Sequence, residues 1–280
     1  MIQTDSVTKK LPCFDPGAVF TCGQCFRWIE NEDESFTGVA KGRVLRVFKK
    51  NGKITFEGTD ESEFNSIWRD YFDIDRDYSE IISTLSRVKN MESAVKYGSG
   101  IRILRQDFFE CLLSFIISAN NNIPRIQGII NKMCALWGDE ITFKEKKYHT
   151  FPSPDALFGI TAEDLSPLHC GYRAPYLEKT IAAYCRGEIS AEEISSMNTQ
   201  NARRALLKLS GVGPKVADCV LLFAFSRFDV FPADVWIKRV MRELYGCEEK
   251  NAAECGARLF GNLAGIAQQY LFYERRDNAI

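Results

Sequence analysis

Leu209–Asp234 reads LSGVGPKVADCVLLFAFSRFDVFPAD, and its pattern decides the fold. Gly211 and Gly213 bracket Val212 just before an apolar run, as in a tight turn that opens a helix. Glycine accepts positive φ and lets another backbone come close. The free amides at such a helix start face outward and suit a phosphate oxygen. Pro214 falls in the first turn, where a missing N–H costs little. Val216, Cys219, Val220, Phe223 and Ala224 follow at helical spacing. Lys215 therefore lies near the amino end of a largely apolar helix, whose positive partial charge disfavours an ammonium. Phe231-Pro232-Ala233 breaks the chain, and Asp234 is placed as N-cap of the next helix, from Val235 onward. An amine and a fixed carboxylate beside a phosphate-binding turn suggest amine chemistry on DNA. The same residues also fit a plain backbone clamp, a lysine on a phosphate and an aspartate that only caps.

The bulk properties bound this reading. The chain has 280 residues, 45% hydrophobic and 26% charged, with a formal net charge of −1. That is long enough for one large domain or two smaller ones. Near-neutral charge argues against indiscriminate nucleic-acid binding, but the charge is uneven. Residues 201–245 carry eight basic against four acidic side chains, and residues 57–80 carry nine acidic against two basic. One face can thus meet a phosphate backbone while another repels it. No apolar run reaches membrane-spanning length and Met1–Phe14 lacks a signal core, so a cytoplasmic protein with no membrane contact is expected. Of the ten cysteines, only Cys22 and Cys25 form a close pair, and Cys247 and Cys255 are too few for a four-cysteine cluster. Reduced thiols and no metal are expected.

Residues 1–60 are β-rich, with β character expected at Val19–Thr21, Cys25–Trp28, Phe36–Ala40, Val44–Phe48 and Ile54–Phe56. Asn51-Gly52 marks a tight hairpin turn. Glu61–Tyr71 and Tyr78–Val88 are helical by apolar spacing. From about residue 100 the pattern is almost wholly helical. Asp107 and Glu110 suggest a capping box on a buried helix, which ends in Asn120-Asn121-Asn122. Helices are also expected over Ile123–Trp137 and Ala257–Phe272. The fold class is α+β: an N-terminal antiparallel β-domain with flanking helices over residues 1–98, then a mainly helical domain over residues 99–280.

Taken together these stretches resemble the 8-oxoguanine DNA glycosylase/AP lyases of the helix-hairpin-helix, Gly-Pro-Asp superfamily. The resemblance rests on Gly23-Gln24-Cys25-Phe26-Arg27-Trp28 (the family's GQxFRW) and on Phe109-Glu110-Cys111 through Asn120-Asn121-Asn122-Ile123-Pro124-Arg125. It continues through Tyr148-His149, Pro152-Ser153, Gly171-Tyr172-Arg173-Ala174 and the GVGxKVADC hairpin, and spans nearly the whole chain. It implies Lys215 as nucleophile and Asp234 as its acidic partner. It places Gly23, Cys219, Phe223, Gln268 and Phe272 around the flipped lesion base, with the Gly23 carbonyl accepting the N7 hydrogen that 8-oxoguanine has and guanine lacks. Asn120, Arg125, Tyr172 and Arg173 match the group that fills the vacated space and reads the opposite cytosine. Gly211, Gly213 and Trp236 fall where the family holds DNA phosphate. Trp236 stands where better-known eukaryotic members have histidine, and Phe223 where they have methionine.

The implied reaction needs no cofactor. A base in the duplex hides C1′, so the nucleotide must flip out. The lysine then attacks C1′, and the resulting Schiff base allows β-elimination of the 3′ phosphate. The expected partner is double-stranded DNA containing 8-oxoguanine, bound by a monomer. A glycosylase for another damaged purine and a non-catalytic helix-hairpin-helix DNA-binding protein are the alternatives. Lys215 disfavours the alkyl-base enzymes that use only an aspartate and water.

Overall fold

The computed structural model of the chain describes residues 5–278. Strands β1 (Ser6–Lys9), β2 (Trp28–Glu30), β3 (Phe36–Ala40), β4 (Arg43–Lys50) and β5 (Lys53–Glu57) form one antiparallel sheet in the order β1-β5-β4-β3-β2. The β4–β5 turn uses Asn51 and Gly52 at φ 51° and 71°, the double left-handed pair of a two-residue hairpin. Helix α1 (Pro16–Thr21) occupies a stretch where β character was expected. Asp15 caps it through the Ala18 amide and Pro16 sits in its first turn, so local start signals override the β-branched pattern. One face of the sheet is covered by α1 and by a helical segment made of α2 (Glu61–Glu63), a π-helical turn (Phe64–Trp68) and α3 (Arg69–Tyr71). Phe14, Phe20, Trp28, Phe56, Trp68 and Phe72 fill the space between. Phe20 stacks on Trp28 with ring centres 3.9 Å apart.

The rest is helical: α4 (Tyr78–Leu85), α5 (Glu92–Gly98), α6 (Phe108–Ser118), α7 (Ile123–Trp137), α8 (Ala174–Cys185), α9 (Ala191–Ser196), α10 (Thr199–Leu206), α11 (Pro214–Phe225), α12 (Val235–Tyr245), α13 (Ala252–Phe260) and α14 (Ala264–Asn278). Helices α6 and α11 are the two most deeply buried rods and lie against each other, with Cys111–Ile117 and Val216–Phe223 in one apolar cluster. Helices α4 and α5 join the same cluster, so the first 98 residues contribute to both cores. No helix among the described residues is long and apolar enough to cross a membrane.

Four expectations need correction. A two-stranded hairpin, β6 (Glu140–Phe143) and β7 (Lys146–His149), interrupts the helical region. Lys144 and Glu145 turn it with positive φ, a device that apolar periodicity does not reveal. The expected terminal helix is two helices, broken at Gly261 (φ 54°, ψ −128°). Asp107 caps α6 through the Phe109 and Glu110 amides, but the Glu110 carboxylate does not complete a capping box; it faces Arg27 at 3.4 Å. Finally, Cys247 and Cys255 are joined as a disulfide, with Cα atoms 6.4 Å apart. Gly246 ends α12 in a left-handed turn (φ 66°), which folds Cys247 back toward α13. Alkylation of the denatured, unreduced chain should therefore modify eight cysteines, rising to ten after reduction; ten before reduction would contradict the bridge.

Candidate active site

Lys215 stands in the first turn of α11, and its amine lies 5.0 Å from the centre of the Phe115 ring. Phe115 is stacked on Phe223 at 5.3 Å and 16°, and takes the edge of Phe26 at 5.6 Å. Asp234 caps α12 by accepting from the Ile237 amide at 2.8 Å. Lys215 and Asp234 meet electrostatically around Cys219, one turn along α11 from the lysine. Burial pushes that thiol up to about 11, with Lys215 and Asp234 acting on it in opposite directions. A thiol so displaced stays neutral near neutral pH and is a poor nucleophile.

Phe26 connects this group to the loop 22–27, where most residues of the quoted motif have a physical task. Gln24 is completely buried and acts as a bolt. Its Nε2 donates to Val19 O at 2.9 Å and Arg102 O at 2.8 Å, and its Oε1 accepts from the Leu104 amide at 2.9 Å. Arg27 bonds the His149 carbonyl and pairs with Glu110, while Trp28 Nε1 donates to the Tyr71 hydroxyl at 3.0 Å. The Cys22 carbonyl accepts from the Gln269 side chain and the Gln24 carbonyl from Gln106 at 2.6 Å. Between them, among the described residues, the Gly23 carbonyl accepts no hydrogen bond. Gly23 sits at φ 83°, and a Cβ placed there would lie 3.0 Å from the Phe272 ring. No side chain other than hydrogen suits that position.

Phe272 and Gln268 lie one turn apart on α14, so the helix presents both on one side. Gln268 is 5% exposed, and its buried Oε1 has no hydrogen-bond partner among the described residues. An unpaired buried acceptor costs about 1–3 kcal/mol, a cost that a ligand donor would relieve. A cleft of about 530 Å³ opens beside Gly23, lined also by Cys25, Ile123, Gln127 and Arg276. A larger one, about 720 Å³, lies by Asp15, Arg46 and Lys49 on the sheet domain, away from Lys215.

The hairpin before α11 is shaped for contact with another backbone. Gly211 (φ 78°) packs so tightly on Tyr176 that a Cβ would approach its side chain to 2.7 Å, whereas Gly213 faces open space. Thr180 ties the turn down by donating to Ser210 O at 2.7 Å. Trp236 is 46% exposed at the start of α12, with the Arg239 guanidinium 5.6 Å from its ring centre.

The structure also brings Asn120, Arg125, Tyr172 and Arg173 together. Asn120 is exposed at the end of α6 in a left-handed conformation (φ 49°). Tyr172 Oη donates to Ala119 O at 3.2 Å, and Arg125 Nη2 to His169 O at 3.2 Å. Arg173 differs from the other three in being buried, with 2% exposure. Its guanidinium donates to the carbonyls of Ala119, Asn120 and Cys170. In this arrangement it builds the loop that carries Asn120.

Phe26, Phe115, Gln24, Gln106 and Gln269 were not singled out from the sequence. Phe26 and Gln24 lay inside the quoted motif, but a glutamine that bolts a loop leaves no periodicity to read.

The hairpin thus leads into α11 with Lys215 in its first turn, and Asp234 stands at the start of α12. Residues 113–262 match the HhH-GPD superfamily of base excision DNA repair proteins, and residues 6–112 match the N-terminal domain of 8-oxoguanine DNA glycosylase. The chain belongs to the 8-oxoguanine DNA glycosylase family of that superfamily. The Clostridium acetobutylicum 8-oxoguanine glycosylase/lyase, solved with double-stranded DNA containing cytosine opposite 8-oxoguanine, is 41% identical; the match covers 100% of both chains with a TM-score of 0.94. A probable N-glycosylase/DNA lyase of Methanothermobacter thermautotrophicus is 34% identical over 75% of this chain and 74% of its own. The N-glycosylase/DNA lyase of Saccharomyces cerevisiae is 30% identical over 81% of this chain and 67% of its own.

The four residues around Asn120 should separate on substitution. Arg173→Ala leaves several carbonyls unpaired and should lower unfolding free energy by about 1–3 kcal/mol in urea titration. Arg125→Ala, at an exposed side chain with one long bond, should stay within about 0.5 kcal/mol. Equal effects would contradict the structural task assigned to Arg173.

Proposed function

We propose that this chain excises 8-oxoguanine, preferably opposite cytosine, from duplex DNA and then cleaves the strand at the abasic site, with Lys215 as nucleophile and Asp234 as its electrostatic partner. The observation that carries the reading is the Gly23 carbonyl, which accepts no hydrogen bond among the described residues and lies between two tied carbonyls, on a residue whose Cα side abuts the Phe272 ring. Of the two atoms at which the lesion differs from guanine, O8 adds an acceptor, and N7 changes from acceptor to donor. A fixed carbonyl facing N7 bonds the lesion and repels the lone pair of guanine. The buried Gln268 oxygen suits the N1 and N2 hydrogens that a purine of the guanine type offers along its pairing edge. Phe272 and the Cys219–Phe223 side of α11 supply apolar walls for the base.

In the reaction, the Lys215 nitrogen lone pair forms a bond to C1′ as the bond to N9 breaks and the base leaves with its electron pair. The Asp234 carboxylate, with one oxygen on the Ile237 amide, stabilises the positive charge that develops on the sugar. The aminal opens to a protonated Schiff base. Loss of a C2′ proton then expels the 3′ phosphate, and water later releases the amine. Gly211 and Gly213 hold the strand through their outward backbone, and Trp236 offers an aromatic face and its indole N–H at the neighbouring position. Asn120, on the loop held by Arg173, Arg125 at the start of α7 and Tyr172 beside Arg173 face the unpaired cytosine, whose O2 and N3 accept from arginine donors.

Two experiments test the roles. Borohydride should trap wild-type protein on 8-oxoguanine DNA and leave Lys215→Gln untrapped; equal trapping would exclude Lys215. Asp234→Asn, which still caps a helix, should keep its stability while single-turnover excision falls by about 10²–10³-fold. Normal excision would leave Asp234 a cap only. For the base pocket, Gly23→Ala strains the left-handed backbone and pushes on Phe272. It should slow excision at least about fivefold, the lower end of losing a buried hydrogen bond, yet leave affinity for an abasic-site analogue intact. Loss of both in equal measure would make Gly23 architectural.

A further inference from the structure

A groove of about 620 Å³ borders the hairpin, running along α8 and lined on its other side by α10, without Lys215 among its lining residues. Leu209 and Ser210, the first residues of the hairpin, line it, so groove and hairpin form one continuous surface. Lys179, Arg204 and Lys208 line it as well, and all three are exposed. Among the described residues Lys179 and Lys208 make no ion pair, and Arg204 makes only a 3.5 Å contact to the neutral Asn201 side chain. Two carboxylates also line the groove. Glu188, in the chain beyond the end of α8, is held by Arg186 at 2.6 Å; Glu193 stands on α9. The hairpin end is therefore the positive end.

Exposed cations left without carboxylate partners beside a backbone clamp point to more of the same ligand. We propose that this groove is a second phosphate track, in which Lys179, Arg204 and Lys208 take the backbone of the strand that the hairpin holds, beyond the lesion. The inference rests on the DNA-binding reading above. Its scale fits. Tyr176 packs on Gly211, and Lys179 is three residues further, about 5 Å along α8 at 1.5 Å per residue. A DNA strand carries a phosphate about every 3.4 Å of helix axis, so the track begins at the phosphates next to the one on the hairpin. Its contribution is longer reach along the duplex, independent of the base in the pocket.

The test is binding of duplex DNA carrying an uncleavable abasic-site analogue, measured against salt for wild type and for the triple variant Lys179→Gln/Arg204→Gln/Lys208→Gln. Each neutralised phosphate contributes about 0.9 to the slope of log K against log salt, so the variant should lose about 2–3 of slope. The charge-keeping variant Lys179→Arg/Arg204→Lys/Lys208→Arg should keep it. Two further duplexes, each truncated close to the lesion on one side, locate the contact. The difference between wild type and the glutamine variant should vanish on one of them and persist on the other. An unchanged slope, or a deficit identical on both truncated duplexes, would overturn the proposal. So would a groove that binds an acidic peptide through these cations while the DNA slope stays the same. Cleavage of an 8-oxoguanine duplex by wild type is scored separately: its absence defeats the functional reading, whereas its presence with an unchanged slope defeats only the track.

Discussion

A short loop with no ladder of its own, residues 22–27, has to be held still by side chains, and most of the site follows from how that is done. Backbone carbonyls in such a loop are costly to bury unpaired. Gln269 from α14 takes Cys22, and Gln106 from the strap before α6 takes Gln24. The Gln24 side chain in turn fastens the loop to Val19, Arg102 and Leu104. The loop is thus clamped from two distant parts of the chain, α14 and residues 102–106, and from the adjacent α1. The carbonyl between those of Cys22 and Gln24, on Gly23, accepts no hydrogen bond among the described residues, and in the proposed reading it is the acceptor that the lesion meets. A rigid acceptor discriminates well because it cannot turn away from the lone pair of the wrong base.

The clamp also explains why the sheet domain and the helices form one working unit. The loop connects α1 to β2. It places Phe26 against Phe115 and Gly23 against Phe272, so the same few residues touch both the aromatic ring beneath Lys215 and α14. Lys215 and Asp234 are set independently of the loop. Each begins a helix, α11 or α12, and the Phe231–Asp234 break returns the chain so that both act around Cys219. In the proposed reading, chemistry and recognition are therefore built on separate supports, the starts of α11 and α12 on one side and the 22–27 loop on the other. That separation is what lets Gly23→Ala and Lys215→Gln fail in different ways.

Much of this was legible in the sequence because it is written in local signals. The Gly211–Gly213 turn, the start of α11 at Pro214 and the cap at Asp234 all appear where residue types alone placed them. The Asn51-Gly52 hairpin did too, since only a few residues accept two successive left-handed positions. The misses share a cause. Helix α1, the β6–β7 hairpin and the break at Gly261 depend on single caps or left-handed residues within stretches whose apolar pattern suits something longer. The Cys247–Cys255 bridge depends on how Gly246 turns the chain, which residue counts do not express. The task of Arg173 was hidden for a further reason. An arginine beside a tyrosine in a glycine turn reads as a surface group, and only packing shows that its donors are spent on three carbonyls.

The central claim is that the pocket reads the hydrogen on N7 rather than the substituent on C8. The most direct measurement uses Lys215→Gln, which cannot cut, and compares its affinity for duplexes carrying 8-oxoguanine, guanine and 8-bromoguanine opposite cytosine. The bromo base fills the C8 position but keeps a lone pair on N7. It should therefore be refused like guanine, with both binding about ten- to a hundredfold more weakly than 8-oxoguanine, as expected for one lost buried hydrogen bond. Binding of 8-bromoguanine as tight as that of 8-oxoguanine would contradict readout by the Gly23 carbonyl.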